Sequence, residues 1–299
     1  MDFHLSKEQE MLRKMYREFA ENEVKPLAEY TDETEEFPLE NVKKMAKLGM
    51  MGIYFPKEYG GAGADVLSYA MAVEELSKVC GTTGVIVSAH TSLCCAPIFE
   101  NGTEEQKKYY LPKLCSGEWI GAFGLTEPGA GTDAQGQQTT AVLSEDGKNW
   151  ILNGSKIFIT NAGYANVFII FAITGVKLDK RGRKSKEISA FIVERTDPGF
   201  SVGKHEKKMG IKGSSTCELI MAMPKPLPCL PSRRSAGMTQ SSMISSQVEE
   251  PLMPIFFSCL PTEKPGSVRS TMKAEISFFL RPRLSVDTPV MAKITNTLA

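Results

Sequence analysis

The sequence reads FGLTEPGAGTD over residues 123–133 and KIFITN over residues 156–161. In each stretch an apolar, strand-like run adjoins glycine or hydroxyl side chains, the pattern of a β-strand that ends in a sharp turn. The first stretch is not the G-x-G-x-x-G nucleotide-binding pattern, because the third glycine is missing and a strand, not a helix, is expected to follow. Taken alone, such a turn is more often only a turn. The two stretches together predict strand ends whose backbone N–H groups face an acceptor-rich ligand.

The residues before these stretches predict helices. Capping boxes at residues 6–9 and 103–106 each begin a helix, and further helices are expected over 38–49 and 65–79. Residues 82–99 are apolar nearly all round, which is typical of a helix buried inside a bundle. For the helix at 65–79 the spacing predicts a buried face of four residues: Val66, Ala70, Val73 and Leu76. Residues 1–117 are therefore predicted to form an N-terminal all-α domain.

After residue 117 the pattern changes to short runs rich in β-branched and aromatic residues, separated by turn residues. Strands are predicted at 119–126, 137–143, 150–160, 167–172, 188–194 and 200–205. Residues 177–186 hold six basic residues and one acid, which favours a solvated loop over a binding patch. Asp146-Gly147 is typical of a tight hairpin turn. The fold class is thus α+β, with an antiparallel β-domain over residues 118–220 following the helical domain.

Residues 221–299 differ from the rest of the chain, because ten of the seventeen prolines lie there. Scattered proline interrupts both helices and sheet ladders. We therefore expect this tail to be irregular and mostly disordered.

Composition limits the possible functions. Lys and Arg together number 35, as do Asp and Glu, so the chain lacks the basic excess expected of a nucleic-acid-binding protein. No apolar run is expected to reach the roughly 18 residues that span a bilayer, and the N-terminus lacks a signal pattern, so a cytoplasmic location is expected. The seven cysteines form no C-x-x-C pair and there are only three histidines, which predicts no metal site and reduced, mostly buried thiols.

Two further stretches, both containing glycine, make four sequence motifs together with the two at 123–133 and 156–161. Residues 49–63 read GMMGIYFPKEYGGAG and residues 208–216 read KMGIKGSST. With these four motifs in order, residues 1–220 resemble an acyl-CoA dehydrogenase of the short-chain, butyryl type. The resemblance implies a helical domain, a β-domain and a C-terminal four-helix bundle. It also implies FAD as cofactor, an acyl-CoA substrate, electron-transferring flavoprotein as electron acceptor, and a homo-oligomer.

The resemblance assigns cofactor-binding roles to residues of the first motif. Phe123, Leu125 and Thr126 correspond to the strand along the pyrimidine edge of the flavin, where the Thr126 hydroxyl would hydrogen-bond the ring. Thr132 corresponds to a Ser/Thr that touches both the FAD phosphate and the acyl-CoA, so it is a cofactor and a substrate residue.

In the second motif, Phe158, Ile159 and Thr160 correspond to the segment that packs on the isoalloxazine, with the Thr160 hydroxyl near N5. Phe158 stands where many relatives carry Trp, and either ring offers a flat face; the alternative is an ordinary core aromatic. Glu127 and Asp133 are interpreted as turn caps, not as proton-transfer groups.

The resemblance also implies α,β-desaturation of the acyl thioester, in which a glutamate removes the α-proton while hydride passes to the flavin. That glutamate belongs to the C-terminal bundle, and residues 221–299 contain no stretch that aligns with it, so no catalytic residue is assigned. The bundle is expected to be absent, and the hypotheses for its absence are a shifted reading frame, a fused fragment or a misassembled gene. The competing interpretations are an inactive remnant with weak or no FAD binding and an unrelated α+β binding module.

Overall fold

The computed structural model describes residues 4–145, 147, 149–178, 182 and 184–222. The predicted irregular tail therefore lies outside the described residues, except for Met221 and Ala222, and so does Asp146 of the predicted hairpin turn. Gly147, which follows it, has φ 68° and donates its N–H to the Ser144 carbonyl at 2.9 Å.

The first part of the described chain is helical, as predicted. Its α-helices are α1 (Lys7–Phe19), α2 (Ala28–Thr34), α3 (Leu39–Lys47), α4 (Val66–Val79), α5 (Gly81–Ser88), α6 (Ala96–Asn101) and α7 (Glu104–Cys115). Both predicted capping boxes are confirmed: Ser6 and Gln9 exchange hydrogen bonds at the start of α1, and Thr103 and Gln106 do the same at the start of α7. Each box satisfies two N–H groups that a helix start leaves unpaired.

One continuous helical stretch forms the centre of this part. Helix α5, a π-helical segment (Ala89–Cys95) and α6 follow each other without a break over Gly81–Asn101. With 21 residues it is long and apolar enough to meet the criteria for a membrane span, so the expectation of no such run was wrong. Its most apolar stretch is 72% buried inside the protein, which confirms the predicted core helix and accounts for its apolar composition.

The predicted buried face of α4 was partly wrong. Val73 and Leu76 are buried, but Ala70 is only half-buried and Val66 is 38% exposed. The buried side chains of α4 are Ser68, Tyr69, Met71, Ala72, Val73, Glu75 and Leu76. The face is shifted because α4 packs against both α1 and α5, which covers more of its circumference than a single stripe.

A seven-stranded sheet follows, with β1 (Gly121–Gly124), β2 (Thr140–Leu143), β3 (Trp150–Ile159), β4 (Val167–Leu178), β5 (Lys184–Glu194), β6 (Phe200–His205) and β7 (Cys217–Ala222). Its order is β1-β4-β2-β3-β7-β6, and β5 pairs with β4. Four pairings are antiparallel, as expected, but β1–β4 and β2–β4 are parallel. Strands β1 and β2 therefore run along the same edge of β4, and the chain between them loops out at that edge.

Two other predictions for the sheet need correction. Strand β7 was not predicted, although it is the partner of both β3 and β6. Residues 177–186 were predicted as a loop, but β4 continues to Leu178 and β5 begins at Lys184, so half of this basic stretch belongs to strand ends.

The sheet contacts the core helix at close range. The five cysteines of the described chain, Cys80, Cys94, Cys95, Cys115 and Cys217, are free and buried, which confirms for them the predicted packing role. A Cβ on Gly121 would lie 2.5 Å from the Cβ of Cys94, so only glycine allows β1 to approach the helix this closely.

Candidate functional site: the junction of two strand-end motifs

The first motif, residues 123–133, and the second motif, residues 156–161, lie side by side. The Ile157 N–H donates to the Thr126 carbonyl at 2.9 Å, which joins the second motif to the first just beyond the end of β1. The prediction that these motifs act together therefore has a direct structural basis.

A buried ion pair ties the same two motifs together. The Nζ of Lys156, whose side chain is 0% exposed, donates to the Glu127 carboxylate at 2.8 Å. It also donates to the Leu125 carbonyl at 3.0 Å and to Oε1 of Gln137 at 3.1 Å. Lysine is among the residues least often fully buried, and three acceptors offset the loss of water here.

Burial and hydrogen bonding shift the pKa values of both groups. Burial lowers the pKa of Lys156 to about 8, although the Glu127 carboxylate opposes this change. Burial alone would raise the pKa of Glu127, but the hydrogen bonds from Lys156 and from two further donors together lower it. Both groups are therefore charged at neutral pH.

Glu127 also organises the turn in which it lies. Its carboxylate accepts the N–H of Gln138 at 2.6 Å and that of Thr139 at 3.0 Å, while its backbone exchanges two hydrogen bonds with Ala130. The interpretation of Glu127 as a turn cap is thus confirmed. It was wrong for Asp133, which precedes a short 3₁₀ turn without a side-chain cap hydrogen bond.

Phe158 has an unusual backbone. Its φ is 61°, in the left-handed region, and it lies where a bulge interrupts the pairing of β3 with β7 between Lys156 and Ile159. Its side chain is 59% exposed, so the alternative of an ordinary core aromatic does not apply. A left-handed phenylalanine costs about 1–2 kcal/mol, and such strain is concentrated at functional sites.

The three predicted threonines differ in exposure. Thr160 is 7% exposed, Thr126 is half-buried and Thr132 is exposed. Among the residues that the structure describes, no group hydrogen-bonds the hydroxyl of any of these threonines. Thr160 follows Phe158 by two residues, and the Thr126 carbonyl accepts the N–H of Ile157, the residue before Phe158.

The other three predicted site residues are buried. Phe123 and Leu125 belong to the hydrophobic core where the sheet meets the helices, and the Phe123 ring packs edge-on against Phe171 with centroids 5.1 Å apart. Ile159 is 2% exposed. Packing of these side chains fixes the strand ends, so any contact with a ligand would involve mainly their backbone.

Two buried polar residues that the sequence analysis did not single out connect the motifs to the core helix. His90 accepts the Gly121 N–H through Nδ1 at 3.0 Å, and its Nε2 lies 3.2 Å from the Leu114 carbonyl. Burial lowers the pKa of His90 to about 4, so the ring is neutral and Nε2 carries the proton. Asn161, with φ 67°, donates to the carbonyls of Ile86 and Gly121 at 3.1 and 3.3 Å.

The motif at 208–216 is also held by a lysine, which is half-buried. Nζ of Lys208 donates to the Ile211 carbonyl at 2.6 Å, to the Thr216 hydroxyl at 2.9 Å and to the Ser214 hydroxyl. The Ser214 carbonyl accepts the Asn161 N–H at 3.0 Å, so this motif adjoins the second one. Within the described part of the chain, no group of three or more His, Cys, Asp or Glu residues could hold a metal ion.

Comparison with known proteins decides the family. The model of the acyl-CoA dehydrogenase N-terminal domain matches residues 6–118, and that of the middle domain matches residues 122–223. The chain belongs to the acyl-CoA dehydrogenase family. The family is thus the one that the four motifs predicted, and the helical part followed by the sheet matches the fold of its members.

Similar proteins include short-chain members of this family. An acyl-CoA dehydrogenase of Clostridium acetobutylicum, described as short-chain specific, is 64% identical over 220 residues, which are 74% of this chain and 56% of the relative. The butyryl-CoA dehydrogenase of Megasphaera elsdenii superposes with a TM-score of 0.72 at 41% identity, covering 82% of this chain and 61% of that one. An acyl-CoA dehydrogenase of Bacillus anthracis, solved in complex with FAD, gives a TM-score of 0.67 at 42% identity, covering 75% and 37%. The chain thus spans little more than half the length of its short-chain relatives.

Proposed function

We propose that this chain binds FAD at the junction of residues 123–133 and 156–161, and that it serves α,β-desaturation of a short-chain acyl-CoA with electrons passing to electron-transferring flavoprotein. The observation that carries the proposal is the exposed ring of the left-handed Phe158, in a segment whose preceding residue, Ile157, hydrogen-bonds the Thr126 carbonyl of the first motif. A flavin needs an aromatic or apolar face and donors along its polar edge, and this junction offers both. The names of the relatives support the cofactor and the acyl-CoA class.

Each predicted residue has a role in this proposal. The hydroxyls of Thr126 and Thr160 donate hydrogen bonds to the flavin ring, and the Phe158 ring packs against it. Thr132, on the exposed loop, binds the FAD phosphate and the acyl-CoA. Phe123, Leu125 and Ile159 shape the strand ends from the core side.

FAD, when bound, supplies the hydride acceptor of the reaction. Donors that are already in place at the ring edge stabilise the charge that the ring gains, without reorganisation during the reaction. No described carboxylate is proposed as the base: Glu127 is paired with Lys156 and binds two backbone N–H groups, so three of its roughly four acceptor positions are occupied. We further propose a homo-oligomer, as the resemblance implies, and a cytoplasmic location, as the composition led us to expect.

The proposal is tested in two steps with the purified full chain. Oxidised flavin absorbs at about 370 and 450 nm, so the spectrum after FAD addition and gel filtration measures retention of the cofactor. Anaerobic butyryl-CoA should then bleach the bound flavin. Retention without bleaching would contradict the proposed desaturation while the FAD site stands. A colourless protein would contradict the proposed FAD site itself and support the remnant alternative with weak or no FAD binding.

The hydroxyl roles have matched controls in the same chain. Thr126→Val and Thr160→Val keep the shape of the side chain and remove the donor, so each should weaken FAD binding. Thr174 carries its hydroxyl 3.1 Å from Ser189, on the β4–β5 hairpin outside the four motifs, so Thr174→Val should leave FAD binding unchanged. Equal affinity in all three variants would contradict the assigned roles.

A further inference from the structure

We infer that Lys156 and Glu127 form a positioning pair that sets the geometry of the flavin-facing residues, an inference that rests on the proposed function. Neither side chain is assigned a contact with the cofactor. Their proposed role is to keep residues 125–127 of the first motif in a fixed position along residues 156–157 of the second.

The geometry places this pair at the centre of the junction. Lys156 bonds the Leu125 carbonyl and the Glu127 carboxylate, and the next residue, Ile157, bonds the Thr126 carbonyl. Three consecutive residues of one motif are thus bonded by two consecutive residues of the other. Thr126 is held from both sides, and its backbone has no freedom to shift relative to β3 without breaking one of these bonds.

The same pair fixes the loop that carries Thr132. Glu127 binds the N–H groups of Gln138 and Thr139, and Lys156 binds the side chain of Gln137. The start and the end of the loop between β1 and β2 are therefore joined at one point. Breaking the pair would release both ends of this loop together.

On the other side of the pair, β3 continues to the exposed Phe158. Phe158 follows Lys156 by two residues and adopts the left-handed conformation at the bulge. An anchored Lys156 fixes where this bulge begins, because the strand cannot slide by one residue without withdrawing the ammonium group from its three acceptors. The exposed ring and the Thr126 hydroxyl are consequently presented in a defined relation.

Stability does not by itself explain why a fully buried lysine stands here. Two buried charges lose much of their hydration, and replacing a buried ion pair with apolar residues of similar size is often neutral or stabilising. Removing one partner alone, in contrast, is strongly destabilising because it leaves an unpaired charge. Replacing both partners at once can therefore separate the effect of the pair on stability from its effect on the geometry of the site.

The test uses Lys156→Met, Glu127→Gln and the double variant K156M/E127Q in the full chain. Two quantities are measured for each: the free energy of unfolding without FAD, and the dissociation constant of FAD from quenching of flavin fluorescence. The double variant should regain most of the stability that Lys156→Met loses, because the charge left behind is removed. It should still bind FAD at least about tenfold more weakly than wild type, since the register is no longer fixed.

Glu75→Gln is the matched control. Glu75 is 2% exposed and is paired with Arg13, Arg17 and Lys78 between helices of the helical part, outside the four motifs. It should lose stability as Glu127→Gln does, with unchanged FAD affinity. If Lys156→Met does not fold, Glu127→Gln still reports on the register, because an amide nitrogen cannot accept the backbone N–H that a carboxylate oxygen accepts. Its FAD affinity should fall, and unchanged affinity would contradict the positioning role.

The outcomes separate this inference from the proposed function. If wild type does not bind FAD, the proposed function fails. If wild type binds FAD and the double variant binds it equally well, the positioning role is wrong while the FAD site stands. If Glu75→Gln weakens FAD binding as much as the double variant does, the effect is general destabilisation and the inference is likewise wrong.

Discussion

Replacement of Phe158 by asparagine separates the cost of the left-handed backbone from the value of the exposed ring. Asparagine adopts positive φ more readily than phenylalanine, so the change relieves part of the strain at φ 61°. It also removes an aromatic side chain that is 59% exposed in the protein without ligand. The two effects have opposite signs for folding, whereas only the second affects a ligand that packs on the ring.

The magnitudes can be worked out from this exposure. Full burial of a phenylalanine contributes about 1.5–3 kcal/mol, so a ring that is two-fifths buried contributes about 1 kcal/mol. Relief of left-handed strain returns about 1–2 kcal/mol. The free energy of unfolding without FAD should therefore change by less than about 1 kcal/mol. Phe191, which is 1% exposed, provides the contrast, because its replacement by alanine should cost about 3–5 kcal/mol.

The assay is urea unfolding of the cofactor-free protein together with an FAD titration. Phe158→Asn should weaken FAD binding about tenfold, equivalent to about 1.4 kcal/mol, while Phe158→Tyr keeps a flat ring and should bind as wild type does. A loss of stability above about 2 kcal/mol in Phe158→Asn would contradict the claim that this ring contributes little to folding, because a loss of that size is typical of a ring packed in the core. Unchanged FAD affinity would refute its role at the cofactor.

Three further predictions concern folding. Burial alone would raise the pKa of Glu75, but hydrogen bonds from two arginines and a lysine lower it from 4.5 to about 2. The ionised carboxylate therefore stabilises the fold above pH 4.5, and this contribution is lost as pH falls towards 2. The contribution of Glu75 to the free energy of unfolding is about 2 kcal/mol after allowance for its solvent-exposed partners. Between pH 4.5 and pH 2, the stability of Glu75→Gln should therefore depend less on pH than that of wild type, as acid unfolding would show. Gly121→Ala should cost at least about 2 kcal/mol in urea unfolding because of the clash with Cys94, whereas Gly129→Ala, with no atom within 4 Å of the added Cβ, should be neutral. Burial raises the pKa of Cys94 to about 12, so this thiol should resist alkylation until the protein unfolds, as mass spectrometry of the labelled peptides would show.

Local signals in the sequence were sufficient for much of the fold. The two capping boxes depend on side chains three residues apart, and the apolar helix at 81–101 is evident from its composition. The parallel pairing of β1 with β4 and the strand at 217–222 depend on partners far along the chain, and no local pattern encodes them.

The candidate site likewise has some features that the sequence predicted and others that depend on tertiary structure. The order of the motifs predicted that residues 123–133 and 156–161 act together, and the bond between Ile157 and Thr126 joins them. The sequence did not reveal that Lys156 is fully buried, because lysine in a strand is normally placed on the solvent face. Nor did it predict the left-handed Phe158, whose conformation depends on a bulge against β7. Both features require the sheet register, which is a tertiary property.

The most direct test of the central claim is a crystal structure of the full chain grown with FAD. The flavin ring should lie against Phe158, with the hydroxyls of Thr126 and Thr160 within hydrogen-bond distance of its polar edge. A flavin bound elsewhere, or a ring that contacts only one of the two motifs, would contradict the proposed FAD site.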